Sequence, residues 1–359
     1  MIAQLFNWLK PLVFKLDPEL AHGITIKALA HGLYPKDKIP VNTRLAQTVF
    51  GIHFSNPVGL AAGFDKNAEA LTGLFALGFD FIEAGTVTPR PQAGNPRPRV
   101  FRDVKSQSVI NRMGFPGHGA EAFLKNYLRY RAGKLHEKSI VGINIGKNKD
   151  TQDPAADYLT LATMFAPHAD YLAINISSPN TAGLRDLQKR DFLLPFIAAI
   201  KANCLAACGD APVPPILIKL APDLSDPQLD ELAETLLESG VDGIILTNTT
   251  LDRPITLPEG FTKQTGGLSG PHVRDKSTAI IHRFYDKTGG KLPIIGVGGI
   301  SSAADAYAKI RAGASLVQVY TGLIFKGPAI IEEIKEGLTA LLDRDGYRTL
   351  AEAVGSAHK

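Results

Sequence analysis

The chain has 359 residues, 45% hydrophobic and 21% charged, which supplies enough apolar material for one large soluble domain or two smaller ones. Its net charge of +4 is dispersed rather than clustered, which argues against a nucleic-acid partner. Cys204 and Cys208 are four apart on a predicted helix with no CxxC motif, which disfavours a metal or iron–sulfur site and fits a reduced, cytosolic chain. No apolar run approaches the length of a membrane span, and Lys10 and Lys15, which interrupt the N-terminal apolar pattern with no small-residue cleavage site after them, disfavour a signal peptide.

In chain order, Ile2, Leu5, Phe6, Leu9, Leu12, Val13 and Leu16 recur at helical spacing, with Pro11 expected to kink or reset the helix. Asp17, Pro18 and Glu19 then read as N-cap, first helical position and first turn of a second helix with Leu20, Ile24 and Leu29 on its apolar face, ended by Gly32 and Pro35. This pair, residues 1–40, is either ordinary cover for the following domain or an interfacial membrane element forming the mouth of an apolar tunnel. From Thr48 onward strands alternate with helices. Thr48–Phe54 reads as a short exposed hairpin strand. Strands are predicted at Pro57–Leu60, Phe81–Ala84, Ile140–Ile145, Tyr171–Ile176, Ile216–Leu220, Gly243–Thr247, Pro293–Val297 and Leu316–Tyr320. Helices are predicted at Asn67–Leu77, Gly119–Arg131, Ala155–Phe165, Asp191–Ala207, Pro227–Ser239, Asp275–Lys287, Ala303–Ala312 and Pro328–Leu342. Eight such units predict a (β/α)8 TIM barrel in the α/β class over residues 41–359, with a doubly wound open sheet as the alternative. Two excursions, Gly85–His118 and Thr249–His272, interrupt the rhythm, and the second reads as a loop or lid.

The C-terminal ends of barrel strands are where catalysis sits. Here they carry Ala61 to Asn67, Gly85-Thr86, Asn144, Asn175 to Asn180, Lys219 and Thr247-Asn248-Thr249. Asn175-Ile176-Ser177-Ser178-Pro179-Asn180 packs amides and hydroxyls at a strand end, suited to a planar heterocycle, although a polar turn closing a strand is the ordinary reading. Lys219 lies inside an apolar strand and is either a single buried salt bridge or functional. Glycines in Gly296 to Ser301 and Tyr320 to Gly322 follow the last two strands, where barrels bind phosphate, and Gly266 to Gly270 can close over the same group. No histidine or cysteine falls at a strand end, which disfavours metal chemistry and a serine hydrolase. A phosphate end, lysines and amides fit FMN, with Lys219 as the cation beside the reduced ring.

Taken together, Gly59–Asn67, Glu83–Arg90, Val109–Phe115, Asn144–Lys149, Asn175–Thr181, Thr247–Arg253, Gly266–Gly270, Gly296–Ser301 and Val319–Pro328 resemble the class 2, quinone-dependent dihydroorotate dehydrogenases over nearly the whole chain. The resemblance implies FMN-dependent oxidation of (S)-dihydroorotate to orotate in pyrimidine biosynthesis, with a membrane quinone (ubiquinone or menaquinone) as acceptor in a ping-pong reaction and no obligatory protein subunit. By resemblance, Ser178 is the catalytic base, with Thr181 and Phe115 shaping a proton outlet. Lys66, Asn111, Arg112, Met113, Gly114, Phe115, Asn175, Asn180, Asn248 and Thr249 hold substrate. Ala62, Gly63, Phe64, Asp65, Lys66, Thr86, Asn144, Asn175, Lys219, Thr247, Gly270, Gly299, Tyr320 and Thr321 hold FMN. His22 and Arg102 contact the quinone, and the first 40 residues form its tunnel. The lack of an Arg-rich transit peptide leads to the expectation of a peripheral membrane protein on the cytoplasmic face of a bacterial inner membrane. Another FMN barrel oxidase would need a histidine base, and a non-catalytic flavin-binding protein would have lost Ser178 or Lys66.

Overall fold

A computed structural model of the chain describes residues 2–37, 39–40, 42–133, 139–181 and 183–358. Two helices come first, α1 (Ile2–Val13) and α2 (Pro18–Ala30). Asp17 caps α2 as its chemistry predicts, its Oδ1 accepting from the amides of Glu19 and Leu20 at 3.0 Å each. Pro11 does not reset α1, which runs on to Val13. Pro11 lies within the last turn, where few further bonds depend on it. The side chains of Ile2 and Leu5, counted in the α1 stripe, lie outside the described residues.

Next, β1 (Gln47–Val49) and β2 (Ile52–Phe54) form an antiparallel hairpin. It is not simply exposed. Val49 and Phe54 are buried against Phe81, Ile140, Tyr171, Leu217, Ile245, Ile295 and Leu316, so the hairpin plugs the end of the barrel away from the predicted site. The barrel begins with β3 (Val58–Leu60) and β4 (Phe81–Val87). The first excursion then contributes β5 (Val100–Asp103) and β6 (Ser108–Asn111). The barrel resumes with β7 (Ile140–Ile145), β8 (Tyr171–Asn175), β9 (Ile216–Leu220) and β10 (Gly243–Leu246). After β11 (Gly267–Ser269), β12 (Ile294–Val297) and β13 (Ala314–Val319) complete it.

The strands close in the order β3-β4-β7-β8-β9-β10-β12-β13, all parallel, and β13 returns to β3. Helices on the outside cover them, so strands such as β4, β7 and β9 are buried along their whole length. That double burial explains the continuous apolar runs in the sequence. The open sheet is excluded by closure.

The excursions differ from the expected loops. β11 pairs with β6, and β6 with β5, so segments far apart in sequence make one antiparallel sheet beside the barrel mouth. The predicted helix Asn67–Leu77 is shorter, at Leu71–Ala76. Asp65 explains this: its buried carboxylate accepts from the amides of Glu69 at 2.9 Å and Ala70 at 2.7 Å, winding the preceding residues into a tight turn. The helix Arg190–Cys208 is long and apolar enough to span a membrane, contrary to the reading that no run approaches that length. It is a barrel helix whose Leu193, Phe196, Ile197, Ile200, Cys204 and Cys208 pack inward. Both cysteines are free.

Candidate active site

At the mouth of the barrel the strand ends surround a buried carboxylate. Glu83 of β4 is fully buried and accepts from Lys219 Nζ at 3.0 Å, Asn144 Nδ2 at 2.6 Å and Gln318 Nε2 at 2.7 Å. A buried charge needs such complete pairing. One layer up, Asn144 Oδ1 accepts from Thr86 Oγ1 at 2.5 Å, and Asn175 Nδ2 donates to Thr86 Oγ1 at 3.1 Å. Ser177 Oγ donates to Asn175 Oδ1 at 3.0 Å and receives Asn248 Nδ2 at 2.9 Å. The asparagines at the ends of β7 and β8 are thereby locked to one another and to the loop after β10. Such a cage presents fixed donors and acceptors to a planar ligand.

Beside it, the loop after β8 carries Ser178, which is buried and whose Oγ accepts from the Asn180 amide at 3.2 Å. Asn180 Nδ2 donates to the Asn111 carbonyl at 3.2 Å, tying this loop to β6. Lys66 Nζ donates to Gly63 O at 2.6 Å and lies 3.5 Å from His22 Nε2 on α2. Burial lowers the Lys66 ammonium to about 8, so it is still largely charged at neutral pH. Burial, with the Lys66 charge adding to it, pushes His22 down to about 3, so its ring is neutral. Tyr320 OH donates to Gly63 O at 3.2 Å, and burial pushes its hydroxyl up to about 12.

The glycine turns need their glycines. Gly298 and Gly299 have φ of 117° and 70°, and a Cβ on Gly299 would stand 2.6 Å from the Arg274 backbone nitrogen. Gly270, with φ of 113°, and Ser269 complete the rim, where Thr321 Oγ1 and Ser269 Oγ are 2.8 Å apart. Bare backbone on one side and the Lys219 cation on the other are a donor set that fits a phosphate-bearing flavin.

A single cavity of about 560 Å³ joins these groups. It reaches from Lys219, Ser178 and Gly299 past Lys66, Phe64 and Tyr320 to His22, Thr25 and Leu9 between α1 and α2. Most residues singled out from the sequence line it: Ala62, Gly63, Phe64, Lys66, Thr86, Asn111, Met113, Gly114, Phe115, Asn175, Ser178, Asn180, Lys219, Thr247, Asn248, Thr249, Gly270, Gly299, Tyr320, Thr321, His22 and Arg102. Asp65, Arg112, Asn144 and Thr181 do not. Asp65 is turned away to hold its turn, and Asn144 is the layer between Glu83 and Thr86. Arg112 stacks on Phe101 at 4.5 Å and donates to Gln264 Oε1 and Pro98 O, stapling the two excursions together. Arg102 Nη2 donates to Phe14 O and Leu16 O at 3.1 Å each, capping the end of α1. Glu83 and Gln318 went unassigned in the sequence. The signal that marked Lys219, a lone polar residue in an apolar strand, was present at both.

A family model described as dihydroorotate dehydrogenase matches residues 44–342. The dihydroorotate dehydrogenase (quinone) of Rhodospirillum rubrum is 50% identical over 349 residues, covering 97% of this chain and 94% of that protein. The mitochondrial dihydroorotate dehydrogenase (quinone) of Mus musculus is 47% identical over 348 residues, covering 96% and 88%. The crystal structure of ligand-free DHODH from Eimeria tenella superimposes with a TM-score of 0.91 at 41% identity, covering 96% of this chain and 100% of that one. With a matching barrel, a polar strand-end cage and this similarity along its length, the chain belongs to the dihydroorotate dehydrogenase family.

Proposed function

We propose that this protein oxidises (S)-dihydroorotate to orotate and passes the electrons to a quinone, the acceptor in its relatives' names. The observation that carries this reading is the continuous cavity from the strand-end cage to the space between α1 and α2, which joins a polar end suited to the substrate to an apolar end suited to the acceptor.

Members of the family are flavoproteins, and we assign the flavin as FMN, which when bound accepts the hydride and later gives up the electrons. Its phosphate is assigned to the Gly270, Gly299 and Thr321 rim, and its ring to the face bounded by Ala62, Gly63, Phe64, Thr86, Asn175, Lys219, Thr247 and Tyr320. Lys219, held by Glu83, supplies fixed positive charge beside the ring as negative charge develops. Asn144 and Asp65 act from behind the wall, holding Thr86 and the Ala62 to Lys66 turn in place.

Ser178 Oγ takes the substrate's C5 proton, and the Asn180 amide steadies the oxygen as that proton moves. Phe115 lines the same region, and Thr181 follows on the loop, together shaping the proton's exit. Lys66 neutralises the substrate carboxylate, while Asn111, Asn175, Asn180, Asn248 and Thr249 hold its amides. Met113 and Gly114 close the pocket, and Arg112 keeps that closure rigid. Residues 1–40 form the quinone tunnel on a barrel of residues 41–359. His22 presents a neutral ring to the quinone head, and Arg102 offers the donors that α1 does not use. Trp8, Leu12, Leu20, Ile24 and Leu33 leave exposed apolar surface on this arm, suited to peripheral attachment at a membrane interface, the cytoplasmic face of a bacterial inner membrane in our reading.

Dihydroorotate oxidation by purified protein in detergent, with ubiquinone, menaquinone, fumarate and NAD compared as acceptors, tests this. Fast turnover with a quinone alone is expected; turnover only with fumarate or NAD would overturn the tunnel assignment.

A further inference from the structure

Lys309 is a buried lysine outside the site described so far. It lies on the helix Ala303–Arg311 with 0% of its surface exposed. Nζ donates to Ser277 Oγ at 2.9 Å, Thr278 Oγ1 at 3.1 Å and Arg274 O at 3.3 Å. All three partners are neutral oxygens. An ammonium kept in the interior without a carboxylate on it is costly, and a methionine of similar shape would fill the space without that cost.

What stands in front of Lys309 is the glycine turn after β12. Ser277 Oγ donates to the Val297 carbonyl at 2.6 Å, and the Thr247 amide donates to the same oxygen at 3.0 Å. That carbonyl shares a peptide unit with the N–H of Gly298, and Gly298 and Gly299 both line the cavity. Hydrogen bonds in series polarise one another. The chain from Lys309 through Ser277 to the Val297 carbonyl therefore draws electron density from that peptide and makes the Gly298 N–H a stronger donor. The turn is also backed sterically, since a Cβ on Gly298 would stand 3.2 Å from Ser277 Cβ. On its far side Asp305 accepts from the Ser301 amide at 3.0 Å and from Arg274 Nη1 at 3.4 Å.

We infer that Lys309 is a positioning residue for the flavin phosphate, acting through Ser277 to orient and polarise the Val297-Gly298-Gly299 turn without touching the ligand. This rests on the assignment of the site to FMN. Burial pushes the Lys309 ammonium down to about 7, with Asp305 and Asp275 opposing and Arg274 assisting. A phosphate dianion at the turn favours the protonated form, so the ligand and the buried charge support one another.

The test is titration of apoprotein with FMN and with riboflavin, read by quenching of flavin fluorescence, in wild type, Lys309→Met and Ser277→Ala. Wild type is expected to prefer FMN. Lys309→Met is expected to weaken FMN by about 10- to 100-fold, as for loss of a charge-assisted bond, and Ser277→Ala by less, with riboflavin unchanged in both. FMN affinity at the wild-type level, or equal weakening of both flavins, overturns the inference. Should Lys309→Met fail to fold, Ser277→Ala decides by the same ratio. A wild type that binds riboflavin as tightly as FMN removes the phosphate assignment, and the role of Lys309 with it.

Discussion

At the strand ends, Glu83 alone receives three side-chain donors, and Asn144, Thr86, Asn175, Ser177 and Asn248 are bonded in sequence above it. The α1–α2 arm is built the other way. It exposes 85% of Trp8 and 74% of Leu33. Among the described residues its polar ties to the rest include Glu19 to Arg99 and Arg97, Lys66 to His22, Arg102 to the end of α1, and Lys335 to Asp37. Phe6 against Gly327 and Phe14 against Phe325 add apolar anchors. The contrast fits the roles proposed for the two regions. Proton and hydride transfer need groups fixed in advance, because reorganisation adds to the barrier. A greasy acceptor needs apolar surface and a way in, for which directional bonds are of little use.

The two regions part most clearly at Ser178. Ser178→Ala is expected to keep bound flavin and its absorbance while flavin reduction by dihydroorotate falls by about 10²- to 10⁴-fold, the usual range for loss of a general base. Stopped-flow reduction measures this, and an undiminished rate would remove Ser178 from the role. Lys219→Ala tests the cage as a structure. It strands the Glu83 carboxylate, and a loss of about 3–5 kcal/mol in unfolding free energy with lowered flavin content is expected. A Glu83→Gln, Lys219→Met pair should recover part of that stability but not the fixed charge beside the ring.

The arm should fail differently. Removal of residues 1–40 is expected to spare flavin reduction by dihydroorotate and to impair quinone turnover; unchanged quinone kinetics would falsify the tunnel. A milder form is Arg99→Ala, which removes a bidentate partner of Glu19 and should loosen α2 by about 1–3 kcal/mol. Its signature is a raised quinone KM at a normal half-reaction with dihydroorotate.

The smallest effect lies where the two regions meet. Lys66 has an ammonium lowered to about 8, so kcat/KM for dihydroorotate should fall as pH rises through that value and the substrate carboxylate loses its counter-charge. Lys66→Met should abolish this limb. His22, lowered to about 3, stays neutral throughout, so the quinone half-reaction should show no titration near the ordinary 6.5. A limb there that His22→Gln removes would contradict the geometry.

Much of this was legible in the chain. Alternation of short apolar runs with amphipathic helices predicts eight parallel strands, and the Asp17-Pro18-Glu19 cap is a local signal read correctly. Nearly all residues marked at strand ends line one cavity, because successive strands of a parallel barrel deliver their C-terminal ends to one face. Less legible was which polar residues face inward. In strands buried on both sides, periodicity no longer separates barrel interior from helix-facing side, so Glu83 and Gln318 stood out only by being polar.

Sequence by itself determined the eight barrel strands and most of their helices, the Asp17 cap of α2, and a strand-end chemistry of glycine, amides, lysine and serine. These depend on contacts within a few residues or on the residue's own chemistry. Tertiary structure decided the rest: the pairing of β6 with β11, the β1–β2 hairpin as a plug, the stapling of the two excursions by Arg112 and the three-donor seat of Glu83. Each of these joins groups tens to hundreds of residues apart. Such contacts are selected by barrel closure and by the cost of leaving a buried polar group unpaired, and neither is written into any local stretch of the chain.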